Sequence, residues 1–248
     1  MLRRPLIIAF AAIALLAAAI FGSQMIMDWR ERPQDYFDNP RTLALAIAIM
    51  ANDRDQVSAL LADGADINAA EANGLTLLHW QVLRNDVART RWLLDLGGDP
   101  ELQSLHGETA IHIAATKQST EILELLLERG ANPDAVGQRM GRSPIFVALD
   151  ARRPAHVDLL IAHGADIEFQ DSSQSRPLKH AAMINYAHYV RRFLELGADP
   201  EATDDLGTTF QPAFFRTDPA IMSGEALETR RWVTEFLVSR GIAVRSRW

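Results

Sequence analysis

Gly107–Asn132 reads GETAIHIAATKQSTEILELLLERGAN, and its pattern decides the fold. Thr109 stands where a helix N-cap belongs, ahead of Ile111, Ile113, Ala114 and Ala115, which have a buried-face pattern. A polar turn, Lys117-Gln118-Ser119, separates this first helix from a second with Ile122, Leu123, Leu125, Leu126 and Leu127 on its apolar side. Gly130 supplies the left-handed residue that commonly ends a helix, and Asn132-Pro133 keeps it from restarting. Two helices this short cannot bury their apolar faces alone, so they need copies on either side.

The copies are present. Gly64, Gly97, Gly130, Gly164, Gly197 and Gly241 each stand where a second helix ends, at spacings of 33, 33, 34, 33 and 44 residues. Asp66, Asp99, Asn132, Asp166 and Asp199 follow the first five at fixed offset. A tetrapeptide opens the first helix of the middle repeats, as Thr76-Leu77-Leu78-His79, Thr109-Ala110-Ile111-His112, Ser143-Pro144-Ile145-Phe146 and Arg176-Pro177-Leu178-Lys179. With the Gly-Ala-Asp endings, these copies resemble the ankyrin repeat, whose consensus has Thr-Pro-Leu-His there. The resemblance covers about residues 41 to 244. It implies an all-α solenoid of helix-turn-helix units with β-turn-like finger loops. Repeat boundaries fall at 41–68, 69–101, 102–134, 135–168, 169–201 and 202–248. The first lacks the tetrapeptide and reads as an N-terminal cap; the last reads as a C-terminal cap. It carries about eleven extra residues, FFRTDPAIMSG from Phe214 to Gly224, between its helices. Phe214 and Phe215 are expected to cover the open end of the stack, the alternative being contact with a partner.

Before the repeats, Leu6–Met27 runs for 22 residues without a charge behind Arg3 and Arg4. As a helix it is about 33 Å long, enough to cross a hydrocarbon core. The basic flank keeps the N-terminus inside and places the rest of the chain outside, with Trp29 at the outer interface. The expectation is an uncleaved single-pass anchor over residues 1–27 in a bacterial inner membrane, with the repeats in the periplasm. The alternative is a secretory signal cleaved near Ala17-Ala18-Ala19, which leaves Ile20, Phe21, Met25, Ile26 and Met27 as an exposed apolar start. Residues 28–40, polar and proline-bounded, read as a linker.

The chain has 248 residues, 48% hydrophobic and 23% charged, with a formal net charge of −7. That charge, with no basic run beyond Arg-Arg pairs, argues against a nucleic-acid ligand. The absence of cysteine excludes disulfides, thiolate metal sites, cysteine catalysis and lipoprotein anchoring. There is no HExxH, no Gly-x-Ser-x-Gly and no Gly-x-x-x-x-Gly-Lys. His79 and His112 fall in the tetrapeptide, where the family's histidine bonds turn backbone between neighbouring repeats. No enzyme, cofactor or metal site is expected, and Trp80 and Trp92 read as core.

A protein partner remains. Ankyrin repeats bind partners mainly through a concave surface built from finger tips and the exposed side of the first helices. Carried over by position, that surface includes Leu75, Leu83 and Arg84 in the second repeat and Leu105, His106, Glu108 and Lys117 in the third. The fourth supplies Met140, Arg142 and Asp150, and the fifth Met183 and Ile184. Apolar side chains ringed by polar ones suit a protein interface. The resemblance implies a monomeric array that binds a protein stoichiometrically. Two exported bacterial roles fit: immunity against a toxic periplasmic enzyme, or support of a periplasmic enzyme such as a catalase. Both rest on analogy of fold.

Overall fold

The computed structural model describes residues 32–137 and 140–245. The expected anchor, its alternative cleavage site and Trp29 lie outside the described residues. Among the described residues no helix is long and apolar enough to cross a membrane. The chain divides into two compact bodies, one ending at Glu71 and one beginning at Ala72.

The first body holds α1 (Pro40–Met50) and α2 (Arg54–Ala62), packed together. Here the expected linker is corrected: its last residues are folded. Pro33–Asp35 forms a 3-10 turn against α1, and Phe37 is buried. The backbone N–H groups of Asp38 and Asn39 donate to Glu71. Asn39 caps α1, accepting from Arg41 and Thr42 through its side chain, so Pro40 is the first helical residue. A proline there gives up no helical hydrogen bond, so what reads as a breaker is a helix start.

The second body begins with four helix pairs: α3 (Leu77–Leu83) with α4 (Val87–Asp95), α5 (Ala110–Ala114) with α6 (Glu121–Glu128), α7 (Pro144–Asp150) with α8 (Pro154–Ala162), and α9 (Pro177–Met183) with α10 (Ala187–Glu195). The last pair is α11 (Gln211–Phe214) with α12 (Gly224–Ser239), joined through a 3-10 turn at Pro219–Ile221. Each first helix contacts the next, from α3 through α5, α7 and α9 to α11. Among the described residues there is no strand.

Helix α6 shows why these residues fold so. Ile122, Leu123, Leu125, Leu126 and Leu127 are buried, while Glu121, Glu124 and Glu128 face water. Gly130 closes it at φ 83°, and the Ala131 N–H turns back to Leu126 O at 3.0 Å, satisfying a carbonyl that the helix end would orphan. All six glycines of the period have φ between 70° and 94°. Phe214 and Phe215 are buried, with Arg230 over the Phe215 ring.

Side-chain acceptors at the finger bases and backbone hydrogen bonds at the finger tips tie the repeats together. At the bases, Asp99 Oδ1 accepts from Glu101 N, Glu101 Oε1 from Asn132 N, Asn132 Oδ1 from Asp134 N, and Asp134 from Asp166 N. Asp166 then accepts from Glu168 N, Glu168 from Asp199 N and Asp199 from Glu201 N. The periodic acidic or amide residues are therefore backbone acceptors, and two residues on from Asp99, Asn132 and Asp166 stands the group that reaches the next repeat. At the tips, Leu105 N donates to Asn73 O, Ser172 N to Met140 O and Asp205 N to Ser173 O, at 2.8–3.0 Å.

Candidate functional site

The tetrapeptides position the face. His79 Nδ1 receives the Thr76 N–H at 3.3 Å, and Nε2 lies 3.1 Å from Glu108 O. A carbonyl only accepts and an amide N–H only donates, so the proton sits on Nε2 and the ring is neutral. His112 repeats this with Thr109 N and Arg142 O. Burial lowers the pKa of both rings, against hydrogen bonds donated to those carbonyls, which raise it. Lys179 takes the histidine's place and reaches the equivalent carbonyl, Thr208 O, at 2.9 Å while pairing with Asp204. Burial alone raises the Asp204 pKa, but hydrogen bonds from Lys179 and Thr208 outweigh it and bring it to about 2. Phe146 cannot make such a bond. There Arg142 stands over its ring and bridges two carboxylates, Asp150 Oδ2 at 3.2 Å and Asp171 Oδ2 at 3.3 Å.

On this frame the expected residues divide into two groups. Leu83, Leu105, Met140 and Met183 are exposed, by 41%, 62%, 45% and 47%. Leu105 and Met140 sit at finger tips; Leu83 and Met183 are the last residues of α3 and α9. His106 and Glu108 are exposed on the third finger. The remaining residues are engaged in the framework. Leu75 is half-buried, with its N–H on Asn73 Oδ1, and Arg84 lies over Trp80. Lys117 Nζ donates to Leu83 O at 2.6 Å, and Ile184 O accepts from Arg152 at 2.8 Å. Asp150 is held by Arg142 and, at 2.7 Å, by His180 Nε2.

Several contributors were missed from sequence. Arg152, Arg153 and Arg216 lie in the turns after first helices and donate to carbonyls of neighbouring repeats. Their signal was register. Arg152 occupies the position of Asn85 and Asn185, and all three are left-handed at φ 52–58°. His180 and Asp171 give no signal, because their roles depend on which repeat-four side chains face them.

Residues 43–137 match the family described as Ankyrin repeats (3 copies). Protein PhlB of Serratia liquefaciens is 34% identical over 177 residues, covering 70% of this chain and 78% of that protein. The chain belongs to the ankyrin-repeat family. The B-cell lymphoma 3 protein homolog of Mus musculus is 32% identical across 73% of this ankyrin chain and 42% of that protein, so the chain spans about two fifths of that relative. The crystal structure of the ankyrin repeat domain of Bcl-3, a member of the IkappaB protein family, matches with a TM-score of 0.63 and 29% identity. That match covers 75% of this chain and 81% of the other. The ankyrin-repeat fold is generally a non-catalytic interaction domain, and its presence here suggests a protein–protein interaction module.

Proposed function

We propose that this ankyrin domain binds one protein stoichiometrically through its finger tips and first-helix ends, on the periplasmic side of a bacterial inner membrane. Leu6–Met27 tethers it there, or is removed after export. The partner is a toxic periplasmic enzyme, and binding inhibits it. What supports the binding face is the coincidence of four exposed apolar residues, Leu83, Leu105, Met140 and Met183, with backbone already fixed by ladders. A preorganised face loses little entropy on docking, so its apolar contacts count towards affinity. The periplasmic setting is supported by the charge-free segment and its basic flank.

The test is affinity purification of the full chain from the producing cell's envelope, with L83R, M140R and M183R alongside. A single enzyme retained by the wild type and lost from each variant is expected, and its activity is expected to fall in the complex. Unchanged or raised activity assigns the supporting role instead. Retention by all three variants removes this face from the interaction.

A further inference from the structure

We infer that Asn73 is a site of spontaneous covalent modification. The backbone nitrogen of Gly74 displaces the Asn73 side-chain amide as ammonia, and water opens the resulting succinimide to aspartate or isoaspartate. The chain has seven asparagines, all among the described residues. Ring closure needs a free N–H on the following residue, and six of the seven lack one. Asn39 and Asn132 precede Pro40 and Pro133, whose nitrogens carry no hydrogen. After Asn52, Asn68, Asn85 and Asn185, the N–H groups of Asp53, Ala69, Asp86 and Tyr186 donate to Ala48 O, Asp66 O, Gln81 O and Ala181 O at 2.8–3.2 Å. Among the described residues the Gly74 N–H has no protein acceptor. Exposure does not make the distinction, since Asn52, Asn85 and Asn185 are exposed as well. The free nitrogen does.

The finger favours the reaction further. Asn73 Oδ1 accepts from Leu75 N at 2.9 Å, which holds the carboxamide towards the residues that follow it. Gly74 has no Cβ to crowd its nitrogen. In the ring-closing step Gly74 N gives its proton to hydroxide and bonds to Asn73 Cγ. The Cγ–Nδ2 bond breaks, and ammonia leaves with a proton taken from water. Water then adds to one of the two ring carbonyls. Cleavage at Cγ gives aspartate. Cleavage at the α-carbonyl gives isoaspartate, whose main chain runs through Cγ and is one methylene longer. Hydroxide and water are the only co-reactants.

The two products act differently on the fingers. Aspartate keeps the backbone and an Oδ1, so the bond from Leu75 N persists. Isoaspartate removes Asn73 O from the main chain, and that oxygen accepts from Leu105 N at 3.0 Å, the bond that joins the second finger to the third. The added methylene has no space, because even a Cβ on Gly74 would lie 2.5 Å from Leu105 N. The longer chain must therefore push the third finger away and carry the exposed Leu105 with it. Modification at Asn73 is thus a one-way displacement of one apolar finger tip, whether or not a partner binds there.

The experiment ages the full chain in detergent over days at neutral and mildly alkaline pH, below its melting temperature. Peptide mapping by mass spectrometry, with fragmentation that separates isoaspartate from aspartate, follows each asparagine. Asn73 is expected to convert while Asn52, Asn68, Asn85 and Asn185 stay intact, at a rate that rises about tenfold per pH unit with the deprotonated fraction of the nucleophile. In urea the other four are expected to begin converting, while Asn73 speeds up little. An Asn73 that stays intact in the folded chain and converts only in urea overturns the site, because the finger then protects it as hydrogen bonds protect the rest. The isoaspartate fraction, separated by ion exchange, is expected to lose hydrogen-exchange protection at the Leu105 N–H, which Asn73→Asp keeps. Protection retained in the isoaspartate fraction overturns the displacement of the third finger. Protection lost equally in Asn73→Asp overturns the longer backbone as its cause and assigns it to the new charge.

Discussion

His79 and His112 carry a pH dependence that follows from where their protons sit. Both rings are buried, and burial lowers their pKa below the usual 6.5, as it does for His156 and His180. A histidine depressed in the folded state stays neutral while the unfolded chain takes up a proton, so its contribution is complete above 6.5 and is lost as the pH falls through the folded value. The melting temperature is expected to hold above pH 7 and drop towards pH 5, with a shallower drop in H79N/H112N. A slope equal in both proteins removes these rings as its cause. His112→Ala leaves the Thr109 N–H and Arg142 O without that partner and should cost about 1–3 kcal/mol in urea unfolding. The tetrapeptides make this much legible in sequence. The substitution of Lys179 for histidine was legible only as a departure. That it reaches the same carbonyl depends on a lysine long enough to cross to Thr208 and on Asp204 waiting there.

At the level of the element, the fingers separate two reasons for a glycine. Gly74, at φ 73°, has no room for a Cβ, which would lie 2.5 Å from Leu105 N and 2.7 Å from Ser104 C. Gly207 holds φ 68° in its own finger with open space around it. Gly74→Ala must therefore push two fingers apart as well as strain its backbone, whereas Gly207→Ala incurs only the conformational cost of about 1–2 kcal/mol. Urea midpoints should fall further for the first than the second; equal losses show that the fingers give way freely. In the finger-base ladder, Glu168→Ala removes the acceptor for Asp199 N and should cost about 1 kcal/mol, read by the same measurement. The glycine period was visible in the chain. Which glycine is sterically required was not, because the clashing atoms belong to the next repeat.

Across the whole second body, continuous ladders make the repeats interdependent. Finger-base carboxylates run from repeat two to repeat five, and turn cations from repeat two to repeat six. Nearest-neighbour coupling of this kind makes a repeat array unfold as a unit once interfaces outweigh the intrinsic instability of single repeats. Hydrogen exchange followed by mass spectrometry should show α3 to α10 losing protection through one shared opening at low denaturant. Protection that decays from the α12 end inwards, repeat by repeat, means the ladders are weak beside each repeat's own core.

The sequence by itself determined the repeat, its period, the helix pairs and the glycines that end them, because these depend on residues within about one turn or one repeat of each other. It also marked Leu105, Met140, Leu83 and Met183 as surface, since their register is that of exposed positions. Only the tertiary structure decided that Lys117 and Asp150, read as contact residues, are also framework partners, that the supposed linker buries Phe37, and that Arg152 belongs to a line of turn cations. Lys117 meets Leu83 O, Asp150 meets His180 and Arg152 meets Ile184 O, each about 30 residues away, and geometry between repeats, not local propensity, sets that distance.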